Sequence, residues 1–210
     1  MRRRTSQPLR LHEIVLLLSL PALALYLMVQ NWDQSGRPKT TPSHLLTIEE
    51  ARALNDAVPF VEGPLKPAKS YVFHGSPAAR LQASECLATA ALYEAGDDER
   101  GQKAVMQVVL NRVRHPAYPG TVCGVVYQGA ARRTGCQFSF TCDGSLQRRP
   151  VKSGWAAARK RAKRALNGYV FADVGTATHY HTDWIVPYWR DSLDKIAQIR
   201  THIFYKAPRA

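Results

Sequence analysis

Glu94 is the acid whose setting along the chain points most directly to chemistry. Leu87, Ala90, Ala91 and Glu94 stand at i, i+3, i+4 and i+7, so they share one face of a helix. A carboxyl on an apolar face, at the C-terminal end of that helix, is pushed towards its neutral form twice. Burial disfavours the carboxylate, and so does the negative pole of the helix. A carboxylic acid kept protonated near neutral pH suits the cleavage of a sugar–sugar bond, whose leaving oxygen needs a proton as the bond breaks. The plainer alternative is an exposed glutamate at a frayed helix end.

Hydrolysis of such a bond ordinarily uses a second carboxylate. Asp97, Asp98 and Glu99 suit a loop and a helix start, which leaves Asp143 and Asp183 as the other candidates. Gln137-Phe138-Ser139 lies in a Gly/Cys/Ser/Thr-rich loop over 129–144 and offers amide and hydroxyl groups for a sugar groove. Thr178, Tyr180 and His181 fall on an alternating stretch, one face of which reaches the same groove. Trp184, Tyr188 and Trp189 serve either as sugar-stacking rings or as core. Gln107 and Asn111, at i and i+4 on an apolar helix, suit buried hydrogen-bonders that fix loops. His179 and His181 lack a carboxylate or cysteine partner at metal-ligand spacing, and no CxxC pair exists. No metal and no cofactor is expected.

These residues need a scaffold, and the periodicity supplies one. Ser84 is expected to cap a helix running to Glu94, and a second helix is expected over Glu99–Arg114. The second helix is apolar almost all round from Ala104 to Leu110, which predicts burial on several sides. Thr121–Tyr127 fits a short strand or a helical turn. A third helix over Ser153–Asn167, closed by Gly168, carries Trp155, Ala158, Ala162 and Ala165 as its inner stripe. Its other positions hold Arg159, Lys160, Arg161, Lys163 and Arg164, a solvated face or one that steers the protein to an anionic polymer. Thr176–His181 alternates towards a strand, and a last strand is expected around His202–Tyr205. The sum is a mostly helical α+β domain over 81–210 with a small sheet.

What precedes that domain has a different character. Arg2, Arg3, Arg4 and Arg10 come before an apolar run from Ile14 to Val29. This order predicts a basic cytoplasmic tail over 1–12 and a transmembrane signal-anchor over 13–30, with the rest of the chain outside. A cleaved signal peptide is the rival, with Ala22-Leu23-Ala24 as a small-x-small site. Residues 31–80, rich in proline, suit a linker, with one short helix from Thr47 to Asn55 started by a Thr47/Glu50 capping box. Export to an oxidising compartment would let Cys86, Cys123, Cys136 and Cys142 form disulfides. Four cysteines allow three pairings; Cys136 and Cys142 bracket a short loop, with Cys123 the nearest alternative partner.

The net charge of +13 and a pI near 9.9 favour anionic partners without choosing among them. A nucleic-acid binder would want a recognised module or aromatic residues interleaved with the basic ones, and neither occurs.

Several stretches together resemble a known family. Cys86-Leu87-Ala88-Thr89-Ala90-Ala91-Leu92-Tyr93-Glu94-Ala95, Gly101-Gln102-Lys103-Ala104-Val105 and Val108-Val109-Leu110-Asn111-Arg112-Val113 are similar to the SleB/CwlJ-type cell-wall hydrolases, relatives of the spore-cortex-lytic enzymes. So are Tyr118 to Gln128, Cys136-Gln137-Phe138-Ser139, Ala177-Thr178-His179-Tyr180-His181 and His202-Ile203-Phe204-Tyr205, in order and at family spacing over about 84–206. The resemblance implies a lysozyme-like α+β core that cleaves peptidoglycan between N-acetylmuramic acid and N-acetylglucosamine. It also implies lytic-transglycosylase chemistry with Glu94 as the acid. The family commonly continues Glu-Ala-Arg-Gly-Glu; here the run is Glu94-Ala95-Gly96-Asp97-Asp98-Glu99, and Asp98 stands nearest the second family glutamate.

The expectation is a periplasm-facing enzyme, monomeric, single-pass in the inner membrane, with peptidoglycan as its partner. A hydrolytic muramidase and a non-catalytic peptidoglycan-binding module are the alternatives. An amidase or endopeptidase would want a zinc site or a Cys/His pair.

Overall fold

In the computed structural model, the described residues are 46–132, 135–147 and 154–208. The expected cytoplasmic tail and signal-anchor lie outside them. Among the described residues, no helix is long and apolar enough to cross a membrane.

Among the described residues, five α-helices and one sheet follow in chain order. They are α1 (Ile48–Asp56), α2 (Pro77–Ala95), α3 (Glu99–Val113), α4 (Val122–Val126), α5 (Gly154–Leu166), β1 (His179–Thr182), β2 (Asp194–Ile199) and β3 (His202–Lys206). The sheet is antiparallel with order β1-β3-β2, Tyr180 facing Phe204 across the ladder.

Helix α3 is the centre, buried from Ala104 through Leu110 as its apolar girth predicts. One side joins α2, α4 and α5 in a core containing Leu87, Val105, Val109, Val125 and Ala162. The other side presents Ala104 and Val108 to Phe171, Val174, Ile196 and Phe204, which ties the helices to the sheet. The expected stripe of α5 faces inward, with Ala158, Ala162 and Ala165 buried. The segment over 121–127 is a helical turn, capped by the Thr121 hydroxyl. Cys86 pairs with Cys123, which joins α2 to α4, and Cys136 pairs with Cys142, which closes the loop before α5.

Two expectations at the N-terminal side need correction. Helix α2 starts at Pro77 behind a Ser76 cap, and Ser84 lies buried inside it. Proline at the first helical position fits without losing a hydrogen bond, so the start falls earlier than the periodicity suggests. The described part of the linker, from residue 46 on, is also packed against the domain. Helix α1 does carry the Thr47/Glu50 capping box, but its Asn55 is fully buried and donates through Nδ2 to the carbonyls of Asp183 and Ile185 at 2.8 and 3.0 Å. Buried Lys195 donates to the carbonyls of Asn55 and Val58 at 2.8 and 2.9 Å. Further along, the Phe73 amide donates to the Leu166 carbonyl. Polar clasps hold this segment, so no apolar period marks it.

Candidate active site

Helix α2 ends one residue after Glu94. Gly96 follows it with a φ of 52°, a left-handed value that glycine adopts readily. Asp98 caps α3 by accepting from the Arg100 amide and pairs with Arg200 at 3.1 Å. The residue nearest the second family glutamate is thus committed to a cap and an ion pair. Buried Gln102 donates back to the Gly96 carbonyl. The tight turn fixes where the end of α2 projects its side chains.

Glu94 shares its face with Leu87, Ala90 and Ala91, all three fully buried, and is itself largely covered. The Tyr180 hydroxyl donates to Glu94 Oε2 at 2.9 Å. Burial pushes the Glu94 carboxyl above the ordinary carboxylate range; the Tyr180 hydrogen bond and the Arg112 charge pull it down, Asp143 pushes it up, and burial prevails. Burial and the neighbouring Glu94 drive the Tyr180 hydroxyl well above its usual range, so it stays a donor.

Arg112, on α3, is 3 % exposed. Its Nε donates to the Thr178 carbonyl at 2.6 Å, and its guanidinium sits 5.5 Å from the Tyr118 ring centre and 5.6 Å from that of Phe138. Nη1 is buried and has no hydrogen-bond partner among the described residues. This buried cation, with no ion pair among the described residues, therefore lies in the surroundings of an acid that holds its proton more tightly than usual. Nothing in the residue pattern marks Arg112: an arginine in the last turn of a helix ordinarily faces solvent and complements the dipole. Only its place in the family-like motif hints otherwise.

The loop after Cys136 borders the site. Phe140 stacks on Tyr93 with ring centres 4.6 Å apart, and the Tyr93 hydroxyl donates to the Ser145 carbonyl at 3.1 Å. Tyr93 precedes Glu94, so this contact brings Asp143 within electrostatic reach of Glu94. Asp143 Oδ1 accepts from the Ser145 amide at 2.8 Å. Asp183 lies on the α1 side, paired with Arg52 at 3.4 Å.

The expected groove residues separate. Gln137 is half-buried and Ser139 exposed, both in this loop, so both remain available to a ligand. Phe138 does not line a groove: it is 2 % exposed and packs in the helical core beneath Arg112, because the loop turns its apolar side chain inward. Thr178 and Tyr180 lie on the side of Arg112 and Glu94. His181 does not join them. Strand alternation turns it to the other face, where it stacks on Tyr205 with centres 5.2 Å apart and its Nε2 lies 3.0 Å from the Tyr205 hydroxyl. Burial pulls His181 down to about 4, so it is neutral there. Trp189 packs edge-on against His181 and Tyr205, whereas Tyr188 is 99 % exposed and Trp184 41 %. Gln107 and Asn111 fix loops: Gln107 accepts from the Phe171 amide, and Asn111 donates to the carbonyls of Gly175 and Ala177. On α5, Arg159 pairs with Glu85 and Arg161 with Glu99, so part of that basic face is tied up in the fold.

A comparison with protein families matches residues 96–205 to the cell wall hydrolases, beginning two residues beyond Glu94. The chain belongs to the cell wall hydrolase family. Among curated relatives, the spore cortex-lytic enzyme of Bacillus cereus is 32% identical over 112 residues, covering 53% of this chain and 39% of that protein. That of Halalkalibacterium halodurans is 34% identical over 110 residues, covering 52% and 30%. This cell wall hydrolase chain thus spans about two fifths or less of the length of those relatives. Among solved structures, the catalytic domain of the Bacillus cereus SleB protein aligns at 30% identity with a TM-score of 0.48, covering 64% of this chain and 95% of that one. The catalytic domain of the germination-specific lytic transglycosylase SleB from Bacillus anthracis aligns at 28% with a TM-score of 0.47, covering 64% and 100%.

Proposed function

We propose that the chain cleaves peptidoglycan glycan strands between N-acetylmuramic acid and N-acetylglucosamine, as a lytic transglycosylase with Glu94 as its acid and then its base. The observation that carries this is the largely buried Glu94 carboxyl, biased towards its protonated form and oriented by Tyr180.

Glu94 gives its proton to the glycosidic oxygen as the bond from C1 of the muramic acid breaks. The carboxylate so formed is stabilised by the Tyr180 hydrogen bond and the Arg112 charge, both of which favour the ionised form. It then takes the proton of the muramyl 6-hydroxyl while that oxygen attacks C1. The products are a 1,6-anhydromuramyl end and a free 4-hydroxyl on N-acetylglucosamine, and Glu94 is again protonated. The attacking oxygen belongs to the same sugar, so no water-activating carboxylate is required and the effective concentration is high. Gln137, Ser139, Thr178 and Tyr180 are the polar groups that would meet the sugars. Two disulfides suit an oxidising location outside the inner membrane, with the N-terminal segment as the anchor.

Hydrolysis is the second reading, favoured by the electrostatic link between Asp143 and Glu94. Mass spectrometry of muropeptides released from purified sacculi by the full chain separates the two. Anhydro ends are expected, absent with Glu94→Gln. Reducing ends alone would make it a muramidase, and equal release by Glu94→Gln would overturn the role of Glu94.

A further inference from the structure

A cavity of about 700 Å³ opens where the 61–69 segment crosses the domain, with Thr178 in its lining. Its wall is fixed at several points. The Val61 amide donates to the Lys195 carbonyl at 2.8 Å, and the Ser70 hydroxyl donates to the Gly168 carbonyl at 2.8 Å. Arg114 Nη1 donates to the carbonyls of Lys69 and Ser70. A Cβ on Gly175 would stand 2.9 Å from the Lys66 carbonyl, so the segment is pressed onto the domain there.

The lining is basic. Lys66, Lys69, Arg114 and Lys206 face it, against Glu62 and Asp194. Lys206 pairs with Asp194, which leaves three cations against one carboxylate. Lys66 and Lys69 are exposed, and neither has an ion-pair partner among the described residues. Thr178 connects the lining of the cavity to the residues around the acid. The Thr178 carbonyl holds Arg112, and Tyr180, two residues further on, holds Glu94. Two extended residues span about 7 Å.

We infer that this cavity is a second binding site, which takes the carboxylates of the stem peptide carried by the glycan strand being cleaved. The inference rests on the glycan-cleaving reading for its ligand. The stem peptides hang from the muramic acid sugars and carry free carboxylates, so a strand lying at Glu94 carries anions that suit Lys66 and Lys69. Lysines on a fixed wall of the same domain would then select strands that still bear peptides.

The test is binding of the full chain, carrying Glu94→Gln so that the polymer stays intact. Peptide-bearing glycan strands are compared with the same strands stripped of peptide by an amidase, which leaves one lactyl carboxylate on each muramic acid in place of the peptide's own carboxylates. The parent is expected to bind the peptide-bearing strands about tenfold more tightly at low salt, a preference that added salt screens. Lys66→Glu with Lys69→Glu is expected to abolish the preference and leave binding to stripped strands within about twofold. Both side chains are exposed, so the fold is not at risk; an unchanged melting temperature checks this, and Lys66→Gln with Lys69→Gln should fall between. A parent that binds both polymers equally, or a double variant that keeps the preference, overturns the site. Binding that follows this pattern, when the chain with Glu94 intact releases no muropeptides from sacculi, would instead overturn the glycan-cleaving reading and leave the site standing.

Discussion

Two of the buried cations, Lys195 and Arg112, set a part that holds against a part that works. Lys195, 3 % exposed, has its ammonium on the carbonyls of Asn55 and Val58 and over the Phe60 ring at 4.3 Å. Its neighbour Asn55 uses Nδ2 on two carbonyls and receives Arg190 on Oδ1. Arg112 is equally buried, yet one of its nitrogens has no hydrogen-bond partner among the described residues, and the carboxyl it influences is raised above its ordinary range. Burying a polar group is tolerable when its hydrogen bonds are made and costly when they are not. The clasp around Lys195 spends its polar groups on stability. The cluster around Arg112 leaves one unspent beside an acid, a pattern concentrated at functional sites.

That contrast is broken most severely at Glu94. Glu94→Gln is expected to lower glycan release by about a thousandfold, the scale of a lost general acid. It should not destabilise the protein at neutral pH. The folded state holds the Glu94 proton more tightly than the unfolded chain does, so stability falls as pH rises above the unfolded value. A neutral amide removes that loss, and thermal melts at pH 7 should show an equal or higher midpoint. Asn55→Ala is the mirror image. It leaves buried carbonyls and Arg190 short of partners, with an expected loss of about 2–3 kcal/mol in denaturant unfolding. Activity per folded molecule should stay within about twofold. A large activity loss there would erase the distinction between the two regions.

Tyr180→Phe sharpens the comparison on a smaller scale. Turnover should fall by about tenfold, the order of one charge-assisted hydrogen bond. The Tyr180 bond lowers the Glu94 carboxyl, so its removal raises that carboxyl further. The alkaline limb of the pH–rate profile should therefore move to higher pH. A limb that stays in place or moves down would mean that this bond does not set the protonation of Glu94.

The parts legible in the sequence are those fixed by local periodicity. The face bearing Glu94, the all-round burial of α3 and the inner stripe of α5 follow from apolar spacing alone, and the Thr47/Glu50 box marks α1. What escaped depends on distant partners. The docking of α1 relies on Lys195 and Asp183, far along the chain. Strand β2 has its register shifted between Lys195 and Ala197, which breaks alternation, and its hairpin turn uses Arg200 at a φ of 51° with no glycine or asparagine to signal it. Arg112 looks like an ordinary helix-end arginine until Tyr118 and Phe138 close over it. On β1, Tyr180 reaches Glu94 and His181 points away to Tyr205, as strand alternation requires.

The surroundings of Glu94 hold its carboxyl above the ordinary range. Carbon-13 NMR titration of glutamate carboxyls in the full chain, with Glu94 assigned by its absence in Glu94→Gln, measures this directly. The Glu94 carboxyl is predicted to titrate clearly above the ordinary glutamate value of about 4.3, and further above it in Tyr180→Phe. Titration at or below that value, unmoved by Tyr180→Phe, would contradict the account.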